Sequence, residues 1–204
     1  MAITETHSRM IGDLNAGTTY VESSQVGTAA GNIVQLDGSA KLPAVDGSLL
    51  TNAGKLLQQV HASTSAVATG TTVMADDDTI PQNTEGNEAI TLAITPTNAS
   101  NRLLITATVF HSMATTACNI ITALFQDSTA NALAAVVQEK PNDANAPFIS
   151  TLTHEMAAGT TSATTFKIRA GANAGGTWTL NGWGGARRMG GVASTTLTIT
   201  EIAV

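Results

Sequence analysis

The chain has 204 residues and a formal net charge of −6, with 9 Lys+Arg against 15 Asp+Glu; 43% of it is hydrophobic, 12% charged and 3% aromatic. That apolar share excludes a disordered chain, which needs low hydrophobicity and high net charge, and the lack of a basic patch excludes a nucleic-acid binder. No run approaches the ~20 consecutive apolar residues of a membrane-spanning helix, so no membrane insertion is expected.

One full-sized domain and a smaller part fit this length. Cys118 is the sole cysteine, which rules out an intrachain disulfide and a cysteine-based metal centre. Residues 1–10 are polar and charged and do not read as a secretory signal, so synthesis in the cytoplasm is expected. The charged fraction is about half that of an average soluble domain, while Ala and Thr make up about a third of the chain. Apolar surface that a small domain leaves unburied is commonly covered by other subunits, which points to an oligomer; a neutral polar surface of Thr, Ser and Asn is the other reading.

Residues 1–30 are polar and punctuated by Gly12, Gly17 and Gly27, with Thr18-Thr-Tyr-Val21 as a short extended piece. Lacking a periodicity able to build a core, they read as an anchoring arm ordered against a partner or neighbouring subunits, or as a free tail. In residues 31–54, Leu36-Asp37-Gly38-Ser39 recurs nine residues later as Val45-Asp46-Gly47-Ser48. Asp-Gly is a strong turn signal, and Pro43 between the copies forbids a continuous helix. A repeat this short has nothing of its own to pack on, although copies from three chains would close a narrow core.

The stretch Gln35-Leu-Asp-Gly-Ser-Ala-Lys-Leu-Pro-Ala-Val-Asp-Gly-Ser-Leu-Leu-Thr-Asn52 resembles the shaft-entry motif of tailed-bacteriophage fibre proteins, carried here by Asp37, Gly38, Pro43, Asp46 and Gly47. Near the C-terminus, Thr164–Asn173, Thr177–Gly182 and Ser194–Ile202 resemble the closing strands of jelly-roll head domains of phage virions. The resemblance implies a trimeric structural protein located on the virion and projecting from it, whose arm contacts major capsid or tail proteins. The chain departs from long tail fibres because it leaves no room for an extended shaft, which favours a short spike such as a capsid decoration or head fibre.

From residue 55 on, the sequence alternates in the manner of strands. Ile90, Leu92 and Ile94 alternate with Thr91 and Ala93 until Pro96. Leu103, Ile105, Ala107 and Val109 share a face, as do Phe148, Ser150, Leu152 and His154. Phe166, Ile168 and Ala170 oppose Lys167 and Arg169, and Leu197, Ile199 and Glu201 oppose a run of threonines. β-Branched residues favour this geometry. Ala132–Gln138 reads as a strand, with a helix as the alternative. About eight to ten short strands are expected, the spacing of an all-β antiparallel sandwich or jelly roll. The domains are therefore an arm (1–30), a fibre-like trimerisation or linker segment (31–54) and a β-sandwich head (55–204).

Candidate chemistry is sparse. Asp76-Asp77-Asp78 has the oxygen ligands of a hard-cation site but lacks the EF-hand pattern, and otherwise reads as a solvated turn. His7, His61, His111 and His154 are not at metal-ligand spacing, though His111 and His154 would be neighbours across strands or around a trimer axis in some registers. Cys118 reads as a small buried hydrophobe. A hydrolase would need paired carboxylates, and nothing in the sequence singles out Asp127, Glu139, Asp143 and Glu155 for that role; no Gly-x-Ser-x-Gly elbow occurs. The Gly-rich stretch Gly182–Gly191 opens no helix and reads as an exposed loop. In it Trp183, with Trp178 nearby, is placed to stack on sugar rings, and Arg187 and Arg188 to meet acidic groups; alternatively Trp178 fills the core and the arginines form interface pairs. No catalytic residue, metal or cofactor is assigned. The sequence-based expectation is a non-enzymatic virion protein forming a homotrimer, with a tail-fibre head that binds a host receptor or surface glycan as the alternative.

Overall fold

The structure, a computed structural model, describes residues 56–204 except residue 141, together with strands β1 (Met10–Ile11) and β2 (Val21–Glu22). The chain divides into Met1–Ala53 and Gly54–Val204. In the first unit β1 and β2 pair antiparallel, Met10 opposite Glu22 and Ile11 opposite Val21. Asp37, Gly38, Pro43, Asp46 and Gly47 of the fibre-like stretch, and His7, lie outside the described residues.

The second unit is all-β. Its strands are β3 (Leu56–Thr64), β4 (Ala68–Gly70), β5 (Asn87–Ile94), β6 (Arg102–Met113), β7 (Asn119–Gln126), β8 (Ala134–Glu139), β9 (Pro147–Ala157), β10 (Thr164–Ala172), β11 (Trp178–Leu180), β12 (Gly182–Trp183), β13 (Ala186–Arg187) and β14 (Thr195–Ile202). The segment weighed between strand and helix is strand β8.

One sheet runs β5-β10-β7-β8; the other runs β3-β14-β6, with β9 on the far edge of β6. β9 pairs β6 along Arg102–Ser112, so the opposite edge of β6 is shared by β14 at Arg102–Thr108 and by β11 at His111–Met113, and β4 extends β11. Every pairing is antiparallel. Counting the eight long strands along the chain, one sheet takes the first, eighth, third and sixth, and the other takes the second, seventh, fourth and fifth. This is the double Greek key of a jelly roll.

The alternation read from sequence sets the faces. Leu103, Ile105, Ala107 and Val109 of β6, Leu197 and Ile199 of β14, and Phe166, Ile168 and Ala170 of β10 fill the interior between the sheets with Ile120 and Leu124 of β7. The head thus closes a core within its own chain. Strand β7 is apolar on both faces because a second cluster covers its other side: Ile121, Ala123 and Phe125 pack against Met74. Met74 sits in the segment between β4 and β5, which lies on the four-stranded sheet and is tied to it by Met74 N–H donating to Ala172 O at 3.0 Å. Gly171 permits that approach, since a Cβ there would stand 2.9 Å from Thr72 O. On the outer face of the other sheet Trp183 of β12 covers Phe110 at one end of β6, and the rows beyond it toward Arg102 are only partly buried. Across this face the registers align Thr151, Thr108, Thr196 and Ser63 in one row and Thr153, Thr106, Thr198 and His61 in the next.

Candidate functional site

The Gly-rich segment folds as a hairpin. β12 and β13 pair through Gly182↔Arg187 and Trp183↔Ala186, and Gly184 and Gly185 supply the turn at φ 62° and 74°, the left-handed pair a two-residue hairpin requires. Trp183 is half-buried; it meets Phe110 edge-to-face at 6.5 Å between centroids, and the Arg188 guanidinium lies 4.6 Å from its ring centroid. Trp183 and Arg188 are therefore brought together, but one ring face is already occupied by a cation. Arg187 is exposed on β13.

Trp178 is not a stacking platform. It is 1% exposed and stands in the core, where its Nε1–H donates to His111 Nδ1 at 2.8 Å. An indole N–H only donates, so His111 Nδ1 is the acceptor and Nε2–H donates to Ser150 Oγ at 2.9 Å. Burial pulls the imidazole down to about 4. His111 faces Phe148 in the register and His154 faces Ile105, so the two histidines are not cross-strand neighbours. His111 is a satisfied core residue.

The acidic candidates are engaged separately. Asp77 Oδ1 accepts from Thr79 N–H at 2.8 Å and from Thr79 Oγ1 at 2.5 Å, bonds that lower its pKa and close a local turn. Asp76 accepts from Asn119 Nδ2. Among the described residues no group of three His, Cys, Asp or Glu is placed to hold a metal ion. Glu155 pairs with Arg102 on an exposed face. Glu139 and Asp127 line different clefts, and the Asp143 carbonyl accepts from buried Lys140. Burial pushes the Cys118 thiol up, against the opposing pull of Lys140.

Sequence reasoning missed two places. The first is Glu201, completely buried on β14. Its Oε1 accepts from Asn101 Nδ2 (2.6 Å) and from Thr97 N–H and Oγ1 (both 2.8 Å), and Oε2 accepts from Gln58 Nε2 (2.6 Å). Burial pushes this carboxyl up, but the donors from Asn101, Gln58 and Thr97 together outweigh it and hold it down at about 2.

The second is a cleft of about 520 Å3 beside the outer face of β10, with Lys167, Arg169 and Thr165 on one side and Asp127, Ser128 and Asn83 on the other. Its walls are fastened. Asp127 Oδ1 accepts from Thr165 N–H and Oδ2 from Thr164 Oγ1, both at 2.8 Å, which fixes the turn after β7. Asn83 Nδ2 donates to the carbonyls of Ser128 and Thr129, joining that turn to the β4–β5 segment. Arg169 donates from Nε to Glu85 O and from an Nη to Gly86 O, each at 2.7 Å. By contrast the Lys167 ammonium and the Ser128 and Thr165 hydroxyls have no protein partner among the described residues. The sequence signal for this cleft was present only as Lys167 and Arg169 on the polar side of an alternating strand.

No family model and no curated protein matches the chain. Among solved structures it is similar to Eiger TNF from S. frugiperda, at 10% identity over 71% of this chain and 93% of that one with a TM-score of 0.38. It is also similar to the sugar-binding C-terminal domain of EclA (19% identity, 64% of this chain, 83% of that one, TM-score 0.32). A third is the VP2 subviral particle of infectious bursal disease virus (10% identity, 72% of this chain, 38% of that one, TM-score 0.29). At these scores the likenesses say nothing of what this chain does.

Proposed function

We propose that the chain is a non-enzymatic structural protein of a bacteriophage virion, a short trimeric spike of the head-fibre or capsid-decoration kind, anchored by residues 1–30. The virion setting rests on the fibre-type stretch 35–52 followed in the chain by a jelly-roll head. The observation that carries self-assembly is the contrast between the outer faces of the two sheets. The four-stranded sheet is covered by its own β4–β5 segment around Met74. The other sheet presents two rows with no Lys, Arg, Asp or Glu, Thr151-Thr108-Thr196-Ser63 and Thr153-Thr106-Thr198-His61. These rows bury without desolvating ions, the Arg102–Glu155 pair standing beyond them on the same face, and suit contact with an identical surface.

Light scattering of the full chain at micromolar concentration tests the assembly. A mass three times the 20.8 kDa chain is expected, and a single-chain mass overturns it. Labelling intact particles for electron microscopy tests the location. A second reading, a head that binds a host surface glycan, is favoured by the unpartnered polar groups of the Lys167 cleft.

A further inference from the structure

We propose that the cleft beside β10 is a binding site for an acidic saccharide, a sugar carrying both a carboxylate and free hydroxyls. The inference rests on the second reading above and moves its contact from the Trp183 hairpin to another part of the head. A saccharide stacking on the face of Trp183 that Arg188 covers has to displace the guanidinium from the ring. The cleft asks for no such displacement.

Two properties of the cleft define the ligand. It is preorganised, because Asp127, Asn83 and Arg169 spend hydrogen bonds on holding its walls, so a ligand does not meet the cost of ordering two loops. It is also two-signed. Lys167 offers an ammonium with its donors uncommitted, and Arg169 on the same face adds a second positive charge whose remaining N–H groups are free of the Glu85 and Gly86 carbonyls. Across from them Asp127 offers carboxylate lone pairs beyond the one that each oxygen gives to Thr164 or Thr165. Ser128 and Thr165 add hydroxyls that donate or accept.

A simple anion satisfies the lysine and is repelled by Asp127. A neutral sugar satisfies Asp127 and leaves the ammonium without a counter-charge. A uronate- or sialate-type residue satisfies both, with its carboxylate on Lys167 in a charge-assisted bond and its ring hydroxyls donating to Asp127. In a chain with an excess of six negative charges, such local cations also direct where an acidic ligand can settle.

Titration calorimetry on the full chain tests this with trigalacturonate and sialyllactose against the neutral sugars cellotriose and lactose. Binding of at least one acidic sugar is expected, about tenfold or more tighter than its neutral counterpart, and weaker in added salt. Lys167→Gln should lose about tenfold and Ser128→Ala less, while Lys167→Arg retains binding and Trp183→Ala leaves it unchanged. Equal affinity for acidic and neutral sugars, or full binding by Lys167→Gln, overturns the proposal. Loss in Trp183→Ala with retention in Lys167→Gln also overturns it, while leaving a glycan-binding head standing. If the chain adsorbs to host cells but takes none of the four sugars, the acidic-saccharide site falls and the receptor reading survives. If it does neither, both fall.

Discussion

Burial keeps the His111 imidazole neutral by raising the cost of its charge, and the Trp178 N–H, pointing at Nδ1, fixes the tautomer. The unfolded chain takes up the second imidazole proton below about 6.5, and the folded chain only near 4. The contribution to stability is therefore complete above about 6.5 and lost as pH falls towards 4, amounting to about 3 kcal/mol across the window. Urea unfolding followed by tryptophan fluorescence at pH 7 and pH 4.5 should show this loss, and His111→Gln should flatten it. Glu201 acts in a lower window. Its folded pKa is about 2 against an ordinary 4.5, so its stabilisation is present above 4.5 and disappears as pH falls towards 2. Glu201→Gln should cost about 1–3 kcal/mol at pH 7, since an amide N–H2 then faces Gln58, and should remove the acid-dependent loss below 4.5. The phase of Glu201 with Leu197 and Ile199 was legible in the sequence. Its burial was not, because Asn101, Thr97 and Gln58 reach it from about a hundred residues away or more.

Elements show the same division. Strands β6, β10 and β14 alternate cleanly because one face of each meets the core and the other meets solvent or a partially covered surface. Strand β7 reads as a continuous apolar run, Ile120 to Phe125 apart from Thr122, because the β4–β5 segment covers its second face. Gly171 lets that segment lie close. Gly171→Ala should force Thr72 away from β10 and lower stability by about 1–3 kcal/mol, with loosening of the Met74 cluster. Amide hydrogen exchange at Met74, whose N–H is bonded to Ala172 O, reports it directly; unchanged protection there contradicts this account. The Trp183 hairpin was legible from its glycines, but its contacts were not. Phe110 is more than seventy residues away and reaches Trp183 only because β6 and β11 pair.

For the whole molecule the uncovered threonine face is the feature with consequences. Thr198→Glu places a charge in the middle of the row formed with Thr106, Thr153 and His61. It should turn the proposed trimer into single chains in light scattering without changing the far-ultraviolet circular dichroism of the head, because the side chain points away from the core. What the sequence determined by itself was class and phase: the period-two alternation of Val, Ile, Leu and Thr specifies strands and which side of each is apolar, since side chains of a pleated backbone point to opposite faces. Only the tertiary structure decided which strands are neighbours, and with that the tautomer of His111, the burial of Glu201, and the meeting of Asn83, Asp127 and Lys167 at one cleft. Strand pairing joins residues far apart in the chain through backbone hydrogen bonds that are alike for every side chain, so local composition carries no record of the partner.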